Sequence, residues 1–183
     1  MLLRKKVRLF SAGLFFSLLS CAAAWAELKT GANAPSFTAP AALAGQTYHF
    51  VLAEALKKGP VVVYFYPKAF TSGCTIEAML FAVATDMFAE LKTTVIGVSG
   101  DDIETLKKFS QGPCGGKFAV AADLDRSIIK AYDAGMLIMP SMANRISYVV
   151  TPDSKILFVH SGMSPDQHVS STLAALQAWQ AKR

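Results

Sequence analysis

Residues 61–77 read Val61-Val62-Val63-Tyr64-Phe65-Tyr66-Pro67-Lys68-Ala69-Phe70-Thr71-Ser72-Gly73-Cys74-Thr75-Ile76-Glu77. The first six are β-branched or aromatic. A strand that apolar on both faces belongs in the middle of a sheet with cover on both sides. Pro67 to Gly73 makes a loop, and Cys74 then opens a helix to about Leu91, with Ile76, Met79, Leu80, Val83, Met87 and Leu91 at helical spacing. Strand, loop and helix start together deliver Cys74 to the carboxyl edge of the sheet, where open α/β folds bind ligands. A helix N-terminus carries unpaired N–H groups and about half a positive charge. Both favour a thiolate over a thiol, and the thiolate is the nucleophile. The competing reading is an inert buried cysteine, since free Cys packs as a small hydrophobe. A loop-to-helix junction counts against it.

Outward from this stretch, the chain alternates. Residues 27–47 are rich in Ala, Pro and Thr and read as an extended surface arm. Tyr48-His49-Phe50 reads as a short strand, and Leu52 to Lys58 as a helix stopped by Gly59-Pro60. Thr94 to Ser99 is a second buried strand. Asp101 or Asp102 caps a helix to about Ser110, broken by Gln111-Gly112-Pro113-Cys114-Gly115-Gly116. Phe118 to Ala121 is a short strand, and Asp125 caps a helix over Ser127–Ala134. A Met-rich loop, Met136 to Met142, leads to Ile146–Val150 and Ile156–Val159, joined by a turn at Thr151-Pro152-Asp153-Ser154. The last helix spans Pro165 to about Gln180. Repeated βα units followed by a hairpin and a helix predict an α/β fold of thioredoxin-like architecture, a central mixed sheet with helices on both faces.

The 183 residues are 52% hydrophobic and 17% charged, which excludes a disordered chain. The net charge of +5 is no nucleic-acid signal. Arg4, Lys5, Lys6 and Arg8 supply most of it, and beyond residue 26 the chain has 14 Lys and Arg against 13 Asp and Glu. Residues 1–26 join a basic start, an apolar run and an Ala24-Trp25-Ala26 end. This pattern reads as a secretory signal peptide, leaving 27–183 as one domain. The apolar run is short for a membrane span, which takes about 20 residues. Leu18-Leu19-Ser20-Cys21 is a weaker lipoprotein pattern that would acylate Cys21 and is the one route to a membrane. The expected location is a bacterial periplasm. There the two remaining cysteines, Cys74 and Cys114, tend to pair. Their spacing fits no common zinc site.

Pro67, Thr71 and Cys74, in the pattern Pro-x-x-x-Thr-x-x-Cys, resemble the signature of the peroxiredoxins, the alkyl hydroperoxide reductase C/thiol-specific antioxidant family. The preceding Tyr-Phe-Tyr-Pro-Lys and the following Cys74-Thr75-x-Glu77 look most like its bacterioferritin-comigratory branch. The resemblance covers about residues 31–180. It implies a thiol peroxidase without cofactor or metal, in which Cys74 attacks a peroxide and becomes a sulfenic acid. It implies that Thr71 orients the peroxide and Pro67 shields the thiolate. It further implies that Arg145 stabilises the thiolate and the charge developing on oxygen. Many members of this branch keep a resolving cysteine five residues after the first, where this chain has Met79. Cys114 is the remaining candidate, in a neighbourhood resembling another subgroup's resolving site, and its flanking glycines would let it swing toward Cys74. The implied partners are a peroxide and a thioredoxin-like thiol reductant, with the protein a monomer or homodimer.

The remaining residues carry weaker expectations. His49, His160 and His168 are scattered and read as surface or strand-edge groups. Met136, Met139 and Met142 read as loop hydrophobes rather than copper ligands. Glu77 either holds the motif by hydrogen bonds or complements the helix dipole. The leading rival function is a periplasmic thiol–disulfide oxidoreductase, but Thr71 stands where its Cys-x-x-Cys needs a first thiol. A copper-assembly factor with Cys-x-x-x-Cys would need a second ligand at Ala78. A non-catalytic binding module would not need Pro67, Thr71, Cys74 and Arg145 together.

Overall fold

Every residue of Val61–Phe65 is buried, and this strand sits well inside a seven-stranded sheet. The computed structural model describes residues 27–139 and 141–183. The segment read as a signal, with Cys21, lies outside the described residues. In chain order the elements are β1 (Thr38–Leu43), β2 (Gln46–Val51), α1 (Leu52–Leu56), β3 (Val61–Phe65), α2 (Ser72–Val83), α3 (Thr85–Glu90) and β4 (Thr94–Ser99). Then follow α4 (Ile103–Gln111), β5 (Ala119–Ala122), α5 (Ser127–Ala131), β6 (Ile146–Val150), β7 (Ile156–Ser161) and α6 (Pro165–Gln180).

The sheet order is β2-β1-β5-β4-β3-β6-β7. β3 runs parallel to β4 and β4 parallel to β5, while β6 lies antiparallel on the other side of β3. Side chains along β3 alternate between two cores. Val61, Val63 and Phe65 pack with α1 and α5 residues such as Leu52 and Ile129. Val62, Tyr64 and Tyr66 pack with Phe81 of α2, Phe88 of α3, Phe109 of α4 and Leu176 of α6. The predicted mixed sheet with helices on both faces is therefore present. Gly97, opposite Tyr64 in the β3–β4 ladder, is a notch for that ring: a Cβ there would lie 2.7 Å from its Cζ.

Two expectations need correction. Residues 27–47 are not all surface arm, because Thr38–Leu43 forms β1, paired with both β2 and β5. Ala39, Ala41 and Ala42 are buried. Alanine has low strand propensity, so the segment gave no strand signal, yet its small side chains let α4 pack close over it. Second, the helix expected from Cys74 to Leu91 is two helices, broken at Ala84, and its apolar stripe is turned. Ile76, Met79, Val83 and Met87 are 48–84% exposed, while Cys74, Glu77, Ala78 and Phe81 are buried. Both stripes have helical spacing, and the acidic Glu77 disguised the inner one. The large rings decide between them: Phe81 stacks on Tyr64 at 4.5 Å and meets Phe88 at 5.9 Å.

Helix starts follow the expected chemistry with one addition. Asp102 caps α4 by accepting from Thr105 N at 2.8 Å. Asp125 accepts from Ser127 N, but the buried Asp123 takes the next two amides, Ile128 N and Ile129 N. That helix ends at Ala131, three residues before the expected Ala134.

Candidate active site

Cys74 lies in the first turn of α2, 2% exposed, with Thr71 as the extended N-cap residue. The β3–β6 pairing sets Ile146 opposite Phe65. Arg145, one residue earlier, therefore stands beside the carboxyl end of β3, where α2 begins. Its guanidinium fork divides between two acids. Nη2 donates to Cys74 Sγ at 3.5 Å, and Nη1 donates to Glu77 Oε2. The arginine and Glu77 are both buried. A rigid planar fork suits this double task better than a lysine ammonium would. Burial pushes the Glu77 carboxyl up to about 8, against the pull of the Arg145 charge. Gly73 makes the approach feasible, since a Cβ there would lie 2.9 Å from Arg145 Nη2.

The loop before α2 is tied from behind. Ala69 N donates to Asp101 Oδ2 at 2.7 Å, and Ser99 Oγ donates to the same oxygen. Phe70 takes a left-handed backbone, φ +64°, which costs an L-residue roughly 1–2 kcal/mol. Its ring meets Phe109 edge-on at 5.2 Å, an anchor for that conformation. Pro67, half-buried, lines an open cleft of about 530 Å³ with Lys68, Phe70, Asp101 and Arg126. The exposed Thr71 donates its hydroxyl to Lys68 O at 3.0 Å.

Cys114 follows α4 in the same core cluster as Cys74, and both are free thiols. It is fully buried, and burial pushes its thiol up to about 12. The glycines around it do not leave it loose. Cys114 N, Gly115 N, Gly116 N and Lys117 N donate to Phe109, Gly112, Ser110 and Cys114 carbonyls. Gly115 and Gly116 instead supply positive φ for this tight turn.

The histidine expectation is corrected for His168 alone, since His160 lies half-buried on the edge strand β7. His49 is exposed. His168, at the start of α6, is fully buried, and His160 of β7 packs its ring 4.6 Å from it. Ser147 Oγ lies 2.8 Å from His168 Nδ1, and that nitrogen is 3.8 Å from Glu77 Oε1. Ser147 and His168 go unread in the sequence, and Asp101, expected as a possible cap, ties the loop instead, while the expectation that Glu77 holds the motif by hydrogen bonds is met through Arg145. One signal was available: Ser147 is the lone polar residue in an otherwise apolar strand.

A reduced cysteine at a helix start, gripped by a buried arginine inside a thioredoxin-like sheet, defines a thiol-based redox enzyme. The AhpC/TSA family matches residues 30–159. Peroxiredoxin Q, chloroplastic, of Oryza sativa subsp. japonica is 30% identical over 156 residues, 83% of this chain and 68% of that one. Among solved structures, peroxidoxin BcpB from Mycobacterium tuberculosis superposes with TM-score 0.75 at 30% identity, covering 82% of this chain and 97% of that one. Xanthomonas campestris peroxiredoxin Q gives TM-score 0.66 at 26% identity, covering 76% and 89%. The chain belongs to the AhpC/TSA family and is a peroxiredoxin of the bacterioferritin-comigratory branch, a thiol peroxidase. The dithiol-oxidoreductase alternative is not favoured.

Proposed function

We propose that the protein is an exported two-cysteine peroxidase that reduces hydrogen peroxide or organic hydroperoxides at Cys74 and resolves the product with Cys114. The observation that carries this reading is the 3.5 Å contact of Arg145 Nη2 with Cys74 Sγ at the start of α2. Cys74 thiolate attacks the terminal peroxide oxygen. The S–O bond forms as the O–O bond breaks, and the departing water or alcohol oxygen takes up a proton. Arg145 holds the charge as it moves from sulfur to oxygen. Thr71 turns its hydroxyl from Lys68 O to the peroxide, and Pro67 keeps water from the sulfur.

Cys114 then attacks the sulfenic sulfur and expels water, leaving a disulfide. In this cycle the first turn of α2 and the turn at 112–116 open to bring the two buried thiols together, with Cα atoms within the roughly 7 Å that a disulfide needs. Opening also restores Cys114 to water, removing the burial that holds its proton. A thioredoxin-like dithiol of the same compartment reduces the bridge. The secretory pattern of residues 1–26 supports export.

Thiol counting before and after one equivalent of hydrogen peroxide tests the cycle. Wild type loses two thiols, Cys74→Ser loses none, and Cys114→Ser is trapped as a sulfenic acid. A Cys114→Ser variant with full turnover and no such intermediate contradicts the resolving role.

A further inference from the structure

His168 Nε2 lies 2.9 Å from Gly162 O. A carbonyl only accepts, so this nitrogen carries the proton, and Nδ1 presents a lone pair to the Ser147 hydroxyl. The same Nδ1 is 3.8 Å from Glu77 Oε1, an oxygen with no hydrogen-bond partner among the described residues. The other Glu77 oxygen is on Arg145, and Arg145 is on Cys74. A buried line thus runs His168–Glu77–Arg145–Cys74. It contains one fixed cation and two acids that compete for it. An ionised Glu77 would neutralise the guanidinium, whereas a protonated Glu77 leaves that charge to the sulfur.

We infer that His168 is a positioning residue of this site: held as the Nε2–H tautomer by Gly162 O, it turns an electron-rich Nδ1 and not a donor toward Glu77 Oε1, which favours the neutral carboxyl and so reserves the Arg145 charge for Cys74. A lone pair 3.8 Å from a carboxyl, with no donor to stabilise the anion, disfavours ionisation. Burial supports the same allocation, raising Glu77 to about 8 and lowering His168 to about 4, so the proton sits on the carboxyl and not on the ring. The other titratable groups facing this pair are Cys74 on α2, Tyr64 on β3, Arg145 ahead of β6, His160 on β7 and Asp166 on α6. The catalytic meaning of this coupling rests on Cys74 being the peroxidatic thiol, whereas the coupling of His168 to the Cys74 sulfur does not.

The test is iodoacetamide alkylation of Cys74, followed by peptide mass from about pH 5 to about pH 9, with peroxide turnover measured separately. His168→Gln keeps a donor for Gly162 O and removes the Nδ1 acceptor. Its half-maximal pH rises by about one unit, so alkylation on the acid side falls roughly tenfold. His168→Asn keeps a polar atom at the Nδ1 position and retains the wild-type profile. Glu77→Gln, permanently neutral, does not raise the half-maximal pH, and adding His168→Gln to it has no further effect. A wild-type profile in His168→Gln overturns the inference. So does the same shift on the Glu77→Gln background, a raised profile in His168→Asn, or a raised profile in Glu77→Gln, which still applies if His168→Gln fails to fold. A protein that shifts as expected yet turns over no peroxide would sink the peroxidase reading and leave the His168 role intact.

Discussion

At the scale of single residues, Arg145 is a cation that faces the Cys74 sulfur. Its fork touches both Cys74 and Glu77, so Arg145→Met removes a fixed cation beside the sulfur and leaves a buried carboxyl unpaired. Peroxide reduction should fall by roughly 10²-fold or more, the usual cost of losing a donor aimed at developing charge. Gly73→Ala is a subtler probe. Its Cβ would sit 2.9 Å from Arg145 Nη2 and 3.8 Å from its Cζ, so the guanidinium has to give way. Turnover should drop without loss of the folded state, measured as peroxide rate beside circular dichroism. The expectations for Cys74 and Arg145 as neighbours came through in the sequence because a motif carried them. His168 and Asp101 did not, because a lone polar side chain shows its value only when the chain brings its partners near.

Among the elements, the turn at 112–116 and helix α2 would set the cost of the proposed resolution by Cys114. Four backbone hydrogen bonds hold the turn shut around a fully buried thiol. Alkylation of Cys114 in the reduced protein should therefore be slow and track local opening. Oxidation by peroxide should raise hydrogen exchange at both 112–116 and 72–76. Exchange unchanged in both segments would contradict opening as the route to the bridge. Phe81 fixes which face of α2 turns inward, and Phe81→Ala should cost about 3–5 kcal/mol in urea unfolding, as for other buried aromatics. This face was misread from the sequence, since Ile76, Met79, Val83 and Met87 share the helical period with Cys74, Ala78 and Phe81. Ring packing against Tyr64, a contact between distant segments, settles what periodicity leaves open. β1 was missed for a related reason: its alanines are legible as a strand only beside β5 and α4.

For the whole molecule, the alternation of strands and helices was enough to reach the mixed sheet, because each β3 residue declares two-sided burial. Stability should carry the signature of the buried polar network. Glu77 has a folded-state value near 8 against an ordinary 4.5, so the native state holds the extra proton and stability falls as pH rises between those values. His168, lowered from 6.5 to about 4, acts oppositely and adds stability as pH rises through its own window. The two offset one another below the ordinary histidine value, and above it only the Glu77 loss remains. Urea midpoints should therefore decline from about pH 6.5 to about pH 8 in wild type and stay level in Glu77→Gln. An equal decline in both would assign the slope to another group.

The most direct test of the account is the second-order rate of hydrogen peroxide with the reduced protein, followed by stopped flow in wild type, Cys74→Ser and Arg145→Met. Sulfenic acid should form fast in wild type, not at all in Cys74→Ser and about two orders of magnitude more slowly in Arg145→Met. A wild-type rate in Arg145→Met, or peroxide consumption persisting in Cys74→Ser, would contradict the account.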